Sequence, residues 1–259
     1  MKTKFFLVLI LTTFTFNSCQ KNEFEQVANN DGNIALSPQT FDNPFTFAGT
    51  LHVQFLNDIP NNDANFPDLD LDAIITSTIT SIGESGIAPS GVNPADFMAG
   101  ILEGGLQEEL TTLIGNGFDL DFMLGEPDRF FSEELITSKQ RDRINTLFNI
   151  ITTSKSNELF AKRLSTFDNN LNVRQDMSET EKELVFIVSA IVASTGDFIK
   201  TVQGDPNNPW HPVLEDKGLC ILCLILDAIG AIVGFIIDGI EAAIPGAALS
   251  SAGIAITIG

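Results

Sequence analysis

Apolar residues recur every three or four positions through most of the chain, and few stretches alternate with the period of two that marks a strand. After Pro44, Phe47, Leu51 and Phe55 fall on one face and predict a short helix that ends near Pro60. Leu71, Ile74, Ile75, Ile79 and Ile82 form a second stripe. Asn93-Pro94 is a helix start, an N-cap followed by Pro at the first helical position. Phe97, Met98, Ile101, Leu102, Leu106, Leu110 and Leu113 then share a face, with Gly115 as the stop. Thr137 with Gln140 makes a capping box ahead of Ile144, Leu147, Phe148 and Ile151. A further helix carries Leu159, Phe160, Leu164 and Phe167. Ser178 and Glu181 form the clearest capping box, leading into Leu184, Ile187, Val188, Ile191, Val192, Phe198 and Ile199 and ending at Gly204. Asp205 to Trp210 reads as a loop, and Gly253 to Gly259 is ambiguous between helix and strand. The expectation is an all-α fold, an irregular bundle of about six to eight helices.

The C-terminal segment departs from the amphipathic pattern. Leu219 to Ile237 is nearly continuous apolar sequence, broken by Asp227. On one helix Asp227, Gly230, Gly234, Asp238 and Glu241 would fall within an arc of roughly 80°. That is a narrow small-and-acidic stripe on an otherwise apolar rod. Pro245-Gly246 is expected to turn the chain, and Ala247 to Gly259 to run back as a second arm. Twelve Leu, Ile, Val or Phe side chains favour bilayer insertion by roughly 5 kcal/mol, and Asp227 near the centre opposes it by about 3. Insertion is thus marginal. Burial in the domain is the expectation, with a membrane span packed through Gly-x-x-x-Gly and a stored membrane-active hairpin as alternatives. The last of these is similar in outline to pore-forming colicins.

The N-terminus reads as a targeting device. Lys2 and Lys4 precede an apolar run, Phe5 to Phe16, too short to span a bilayer, and Ser18-Cys19 closes it. Residues 1–18 are expected to be a signal peptide. Cys19 after a small residue resembles the lipobox of bacterial lipoproteins, which implies acylation of Cys19. Two or three acyl chains make such an anchor stable. Lys21 followed by Glu23 and Glu25 resembles the surface-export signal of Bacteroidetes lipoproteins. The resemblance implies an outer-membrane location, lipid-anchored and facing outward. Residues 19–44, rich in Asn, Asp and Gln, are expected to be a disordered tether, 45–217 a helical domain and 218–259 an apolar segment packed into it.

Without residues 1–18 the chain keeps 12 basic against 34 acidic residues, a formal charge of −22. That charge and the lack of a basic patch argue against nucleic acid as a partner. The aromatic set is 21 Phe, one Trp and no Tyr, which disfavours glycan stacking. A charge-relay hydrolase has only His52 and His211 to draw on. Cys220 and Cys223 have redox-motif spacing without a preceding strand, and inside a helix would act as small apolar fillers. Asp68, Asp70 and Asp72 fail the calcium-loop pattern, with Ala73 and Ile79 at the Gly and Glu positions. No cofactor, metal or catalytic group is expected.

Asn43-Pro44 followed by Gly49-Thr50-Leu51-His52 is similar to the opening of helical secreted proteins of the Bacteroidetes that end in a Gly- and Ala-rich apolar segment. This marks His52 as a possible functional residue, against the plainer role of lining a helix interface. The functional expectation is an acidic cell-envelope lipoprotein, non-enzymatic, binding an unknown protein or small ligand or playing a structural part. The alternative is a membrane-active protein, pore-forming or bacteriocin-like, that uses the C-terminal hairpin.

Overall fold

The computed structural model describes residues 42–63, 65–108, 111, 135–215 and 219–258, with side chains to Gly253. The signal sequence, Cys19, the tether up to residue 41 and the stretch from Leu113 through Gly115 lie outside the described residues. The fold is all-α. Eight α-helices and no strand occur among the described residues: α1 (Thr46–Asn62), α2 (Leu71–Ser85), α3 (Pro94–Ile101), α4 (Ser138–Thr153), α5 (Asn157–Asn172), α6 (Glu179–Gln203), α7 (His211–Leu214) and α8 (Ile221–Ile258).

Local chemistry sets most of the helix starts. Asp70 caps α2 by accepting the Ala73 N–H at 2.8 Å, so the Asp68–Asp72 run is a helix start. Asn93 caps α3 with Pro94 at its first position. Both capping boxes are formed, Thr137 with Gln140 on α4 and Ser178 with Glu181 on α6. The Ser178 N–H and hydroxyl hold the Glu181 carboxyl below its ordinary range.

Helix α6 is the centre of the bundle. Leu184 to Val192 are buried on every side, and α8, α1, α5 and α4 pack around the helix. Such all-round apolarity belongs to a core helix. α1 crosses α6 at very close range, since a Cβ on Gly49 would lie 2.1 Å from Ser194 Oγ and 2.4 Å from the Ala190 carbonyl oxygen. That approach brings His52, one turn further along α1, into the core.

Two sequence expectations need correction and two gain detail. Helix α1 ends at Asn62, close to Pro60 as expected, and Pro60 lies inside its last turn. Proline supplies no N–H to the carbonyl four residues back, which is that of Leu56. The Trp210 indole N–H donates to that oxygen at 2.9 Å instead, so tertiary structure replaces the missing helical bond. The face that begins at Phe97 is interrupted by a π-helical turn, Leu102–Leu106, where Gly105 has φ +132°. The 253–258 stretch, ambiguous in sequence, is helical.

The larger correction concerns the C-terminal turn. The chain reverses at Asp238-Gly239, not at Pro245-Gly246. Asp238 (φ −154°, ψ 41°) and Gly239 (φ 68°, ψ −152°) break α8 into two arms. Glu241 therefore belongs to the second arm and not to a single stripe, and Pro245 and Gly246 lie inside that arm. The arms meet backbone to backbone. A Cβ on Gly230 would be 2.3 Å from the Gly246 carbonyl oxygen, and one on Gly234 would be 2.2 Å from that of Ala242. The base of this hairpin is core: Leu224, Ile225, Leu226, Ala228, Ala247 and Leu249 have no exposed surface. Its turn end is half-buried, with Asp238 and Glu241 exposed. By length and composition alone, α6 and α8 are the two helices among the described residues apolar enough to cross a membrane.

Candidate functional site

Two places in the bundle gather polar chemistry: a closed cluster around Asp227 in the core and an open groove above Asp168.

Asp227 sits on the first arm of α8 with no exposed surface. Its Oδ2 accepts from Thr195 Oγ1 of α6 at 2.5 Å and lies 3.2 Å from His52 Nε2 of α1. Its Oδ1 accepts from Ser251 Oγ of the second arm. His52 is also fully buried, and its Nδ1 has no hydrogen-bond partner. One carboxylate thus ties together α1, α6 and both arms of the hairpin. A buried carboxylate is tolerable only with such partners. The order of groups is hydroxyl, carboxylate, imidazole. A charge relay needs the imidazole between nucleophile and acid, so this arrangement does not activate Ser251 or Thr195. Next to it, Leu56, Thr195, Phe198, Trp210, Cys223 and Ser251 line a cavity of about 20 Å³, the size of one water.

The groove runs between the start of α1, helix α5 and helix α6, and encloses about 490 Å³. That volume is within the range of small-ligand sites. Asp168 of α5, 9% exposed, forms part of its wall. Ser189 Oγ donates to Oδ1 at 2.6 Å, and Asn43 Nδ2 donates to Oδ2 at 3.4 Å and to the Phe186 carbonyl at 2.9 Å. Burial pushes the Asp168 carboxyl up to about 6, against these hydrogen bonds, which lower it. Asp42, Glu158 and Asp197 add carboxylates to the lining, and Lys200 adds one cation. Asn157 Oδ1, buried in the same lining, has no partner.

The other sequence candidates lie apart from the groove. His52, Asp227, Gly230 and Gly234 belong to the core, and Asp238 to the hairpin turn. His211 Nδ1 pairs with Glu215 Oε2 at 3.3 Å, one turn along α7. Cys220 and Cys223 are not fillers within a helix. They form a disulfide at the start of α8, where the Cys223 N–H donates to Cys220 Sγ at 3.3 Å. Among the described residues no group of three or more His, Cys, Asp or Glu side chains could hold a metal ion.

Sequence reading passed over Asp168, Ser189, Thr195 and Ser251. For Asp168 a signal exists. It lies four residues after Leu164 and three before Leu171, so an acid occupies the apolar stripe of its own helix.

No family model, no curated protein and no solved structure matches the chain.

Proposed function

We propose that the chain is a non-enzymatic lipoprotein of the cell envelope. Acyl chains on Cys19 hold it at the outer membrane, and its groove beside Asp168 receives a cationic amine, free or at the end of a partner's side chain. The observation that carries the binding reading is the buried Asp168 carboxyl in the wall of an open groove of ligand size. Asp42, Glu158 and Asp197 outnumber Lys200 there, so the field favours positive charge. The unpartnered Asn157 Oδ1 offers an acceptor to an incoming N–H. The polar cluster at Asp227 is closed to solvent and has the wrong order of groups for acyl transfer, which favours binding over catalysis.

Two measurements test this. Fractionation of the native host should place the protein in the membrane pellet and release Cys19→Ala to the soluble fraction. Isothermal titration of the lipid-free mature chain with spermidine and with trilysine should detect binding at pH 7.5. Asp168→Asn should weaken it about tenfold, or ~1.4 kcal/mol. A soluble wild-type protein would overturn the anchor, and no heat with either amine would overturn the groove.

A further inference from the structure

We propose that the α8 hairpin is a membrane-inserting unit, folded into the bundle as a packed core and able to leave it for the hydrocarbon interior of a bilayer. The proposal does not rest on the groove.

Length comes first. The arms, 221–237 and 240–258, are about 26 and 28 Å long at 1.5 Å per residue. A hydrocarbon core is about 30 Å thick. No Lys or Arg occurs from Gly218 to Gly259, and the three acids there are Asp227, Asp238 and Glu241, two of them at the turn.

The packing between the arms is the second observation. Helices in water associate by burying large apolar knobs, whereas helices in lipid gain little from that and instead bring small residues together. The arms here meet through Gly230 and Gly234 on one side and Ala242, Gly246 and Ser250 on the other, at i, i+4 spacing on both arms. A Cβ on Gly246 would lie 2.5 Å from the Gly230 carbonyl oxygen, so the approach is close in both directions. Large side chains such as Leu224, Ile225 and Ile229 are buried in the common core of the bundle and are not among the groups that meet at this seam. The hairpin therefore keeps its internal contacts when moved as a unit, and presents its aliphatic surface to whatever surrounds it.

The polar groups inside the arms satisfy the same requirement. Ser250 Oγ donates to the Gly246 carbonyl at 3.0 Å within its own arm. Asp227 bonds Ser251 of the opposite arm, a partner that would travel with it. Of the described partners of Asp227, His52 and Thr195 would be left behind. The turn end is the accessible end. Phe235, Ile236 and Ile237 are half-buried there, and Ile237 lies under the π-helical turn, where a Cβ on Gly104 would meet it at 2.9 Å.

The test uses the lipid-free mature chain with Cys19→Ala and with Ile236→Cys labelled by an environment-sensitive fluorophore, under non-reducing conditions that leave the Cys220–Cys223 disulfide intact. Val173→Cys, on the exposed α5–α6 connection, is the control site. Phosphatidylcholine vesicles carry nitroxides at mid-chain and enclose calcein, at pH 7.4 and at pH 4.5. Insertion predicts a blue shift and strong mid-chain quenching at residue 236, none at 173, and calcein release. His52→Ala, which frees one of the two ties left behind, should speed these changes several-fold. The proposal is overturned if the residue 236 label stays accessible to aqueous iodide at both pH values in the wild-type background. Surface binding without mid-chain quenching overturns it equally. If His52→Ala does not fold, the wild-type result decides alone.

Discussion

Asp227 and His52 are 175 residues apart in the chain and 3.2 Å apart in the core, both without exposed surface. The pair joins the first described helix to the last, and Thr195 and Ser251 complete the shell around the carboxylate. Removing one side of a buried pair of this kind costs about 3–5 kcal/mol. His52→Ala and Asp227→Ala should each lose stability on that scale. The double variant should be more stable than the sum of the two losses by more than about 1 kcal/mol, because the second substitution removes what the first left unpaired. Urea unfolding of the four proteins measures this, and simple additivity would show that the pair is not coupled.

Trp210 carries a second long-range tie. Its indole N–H takes the carbonyl that Pro60 leaves open on Leu56, while Phe66 and Phe198 pack edge-on against its ring. Trp210→Phe keeps an aromatic ring and removes the donor. A buried carbonyl left unpaired costs about 1–3 kcal/mol. If the tie has the role described, Pro60→Ala should recover part of that loss, since the new residue supplies the N–H within the helix. No recovery would assign the loss to packing around the ring.

The hairpin seam predicts a contrast between glycines. Gly230→Ala sets a Cβ 2.3 Å from a backbone oxygen of the other arm, which cannot rotate away. The arms must separate, and the loss should reach about 3 kcal/mol or more, the upper end of overpacking. Gly100, exposed within α3, has nothing within 4 Å of an added Cβ. Gly100→Ala should therefore stabilise by up to about 1 kcal/mol through helix propensity. Equal effects at the two sites would contradict the close seam.

These sites also mark where the sequence was legible. Helix starts were, because the Ser178–Glu181 and Thr137–Gln140 boxes are local chemistry that works before any tertiary contact forms. The turn of the hairpin was not. Pro245-Gly246 and Asp238-Gly239 are both turn dipeptides, and only the packed structure decides between them. Gly246 is needed against Gly230, so it stays helical, and Gly239 takes the positive φ. How α1 accommodates Pro60 was not legible for a similar reason, since the donor that replaces the Pro60 N–H lies 154 residues from Leu56. The groove was missed because it is a matter of which helices become neighbours. Asp168 on an apolar stripe announces a buried acid, but Ser189 and Asn43 come from elsewhere in the chain.

Asp168 gives a prediction with a definite sign. Its carboxyl titrates near 6 in the fold, against an ordinary value of 3.8. Between these values the folded protein holds a proton that the unfolded chain has released. Stability contributed by this group therefore falls as pH rises from about 4 to about 6, and stays low above that. The full difference is about 3 kcal/mol at most, at 1.36 kcal/mol per unit. Asp168→Asn has nearly the shape of the neutral acid and cannot ionise. At pH 4 variant and wild type should unfold at similar urea midpoints. At pH 7.5 the variant should be the more stable by up to about 3 kcal/mol, while its affinity for spermidine should be the weaker. Stability gained and binding lost by one substitution would identify Asp168 as a carboxyl kept in the groove at a cost to the fold. A variant less stable at pH 7.5 would show instead that the ionised group is well solvated by Ser189 and Asn43.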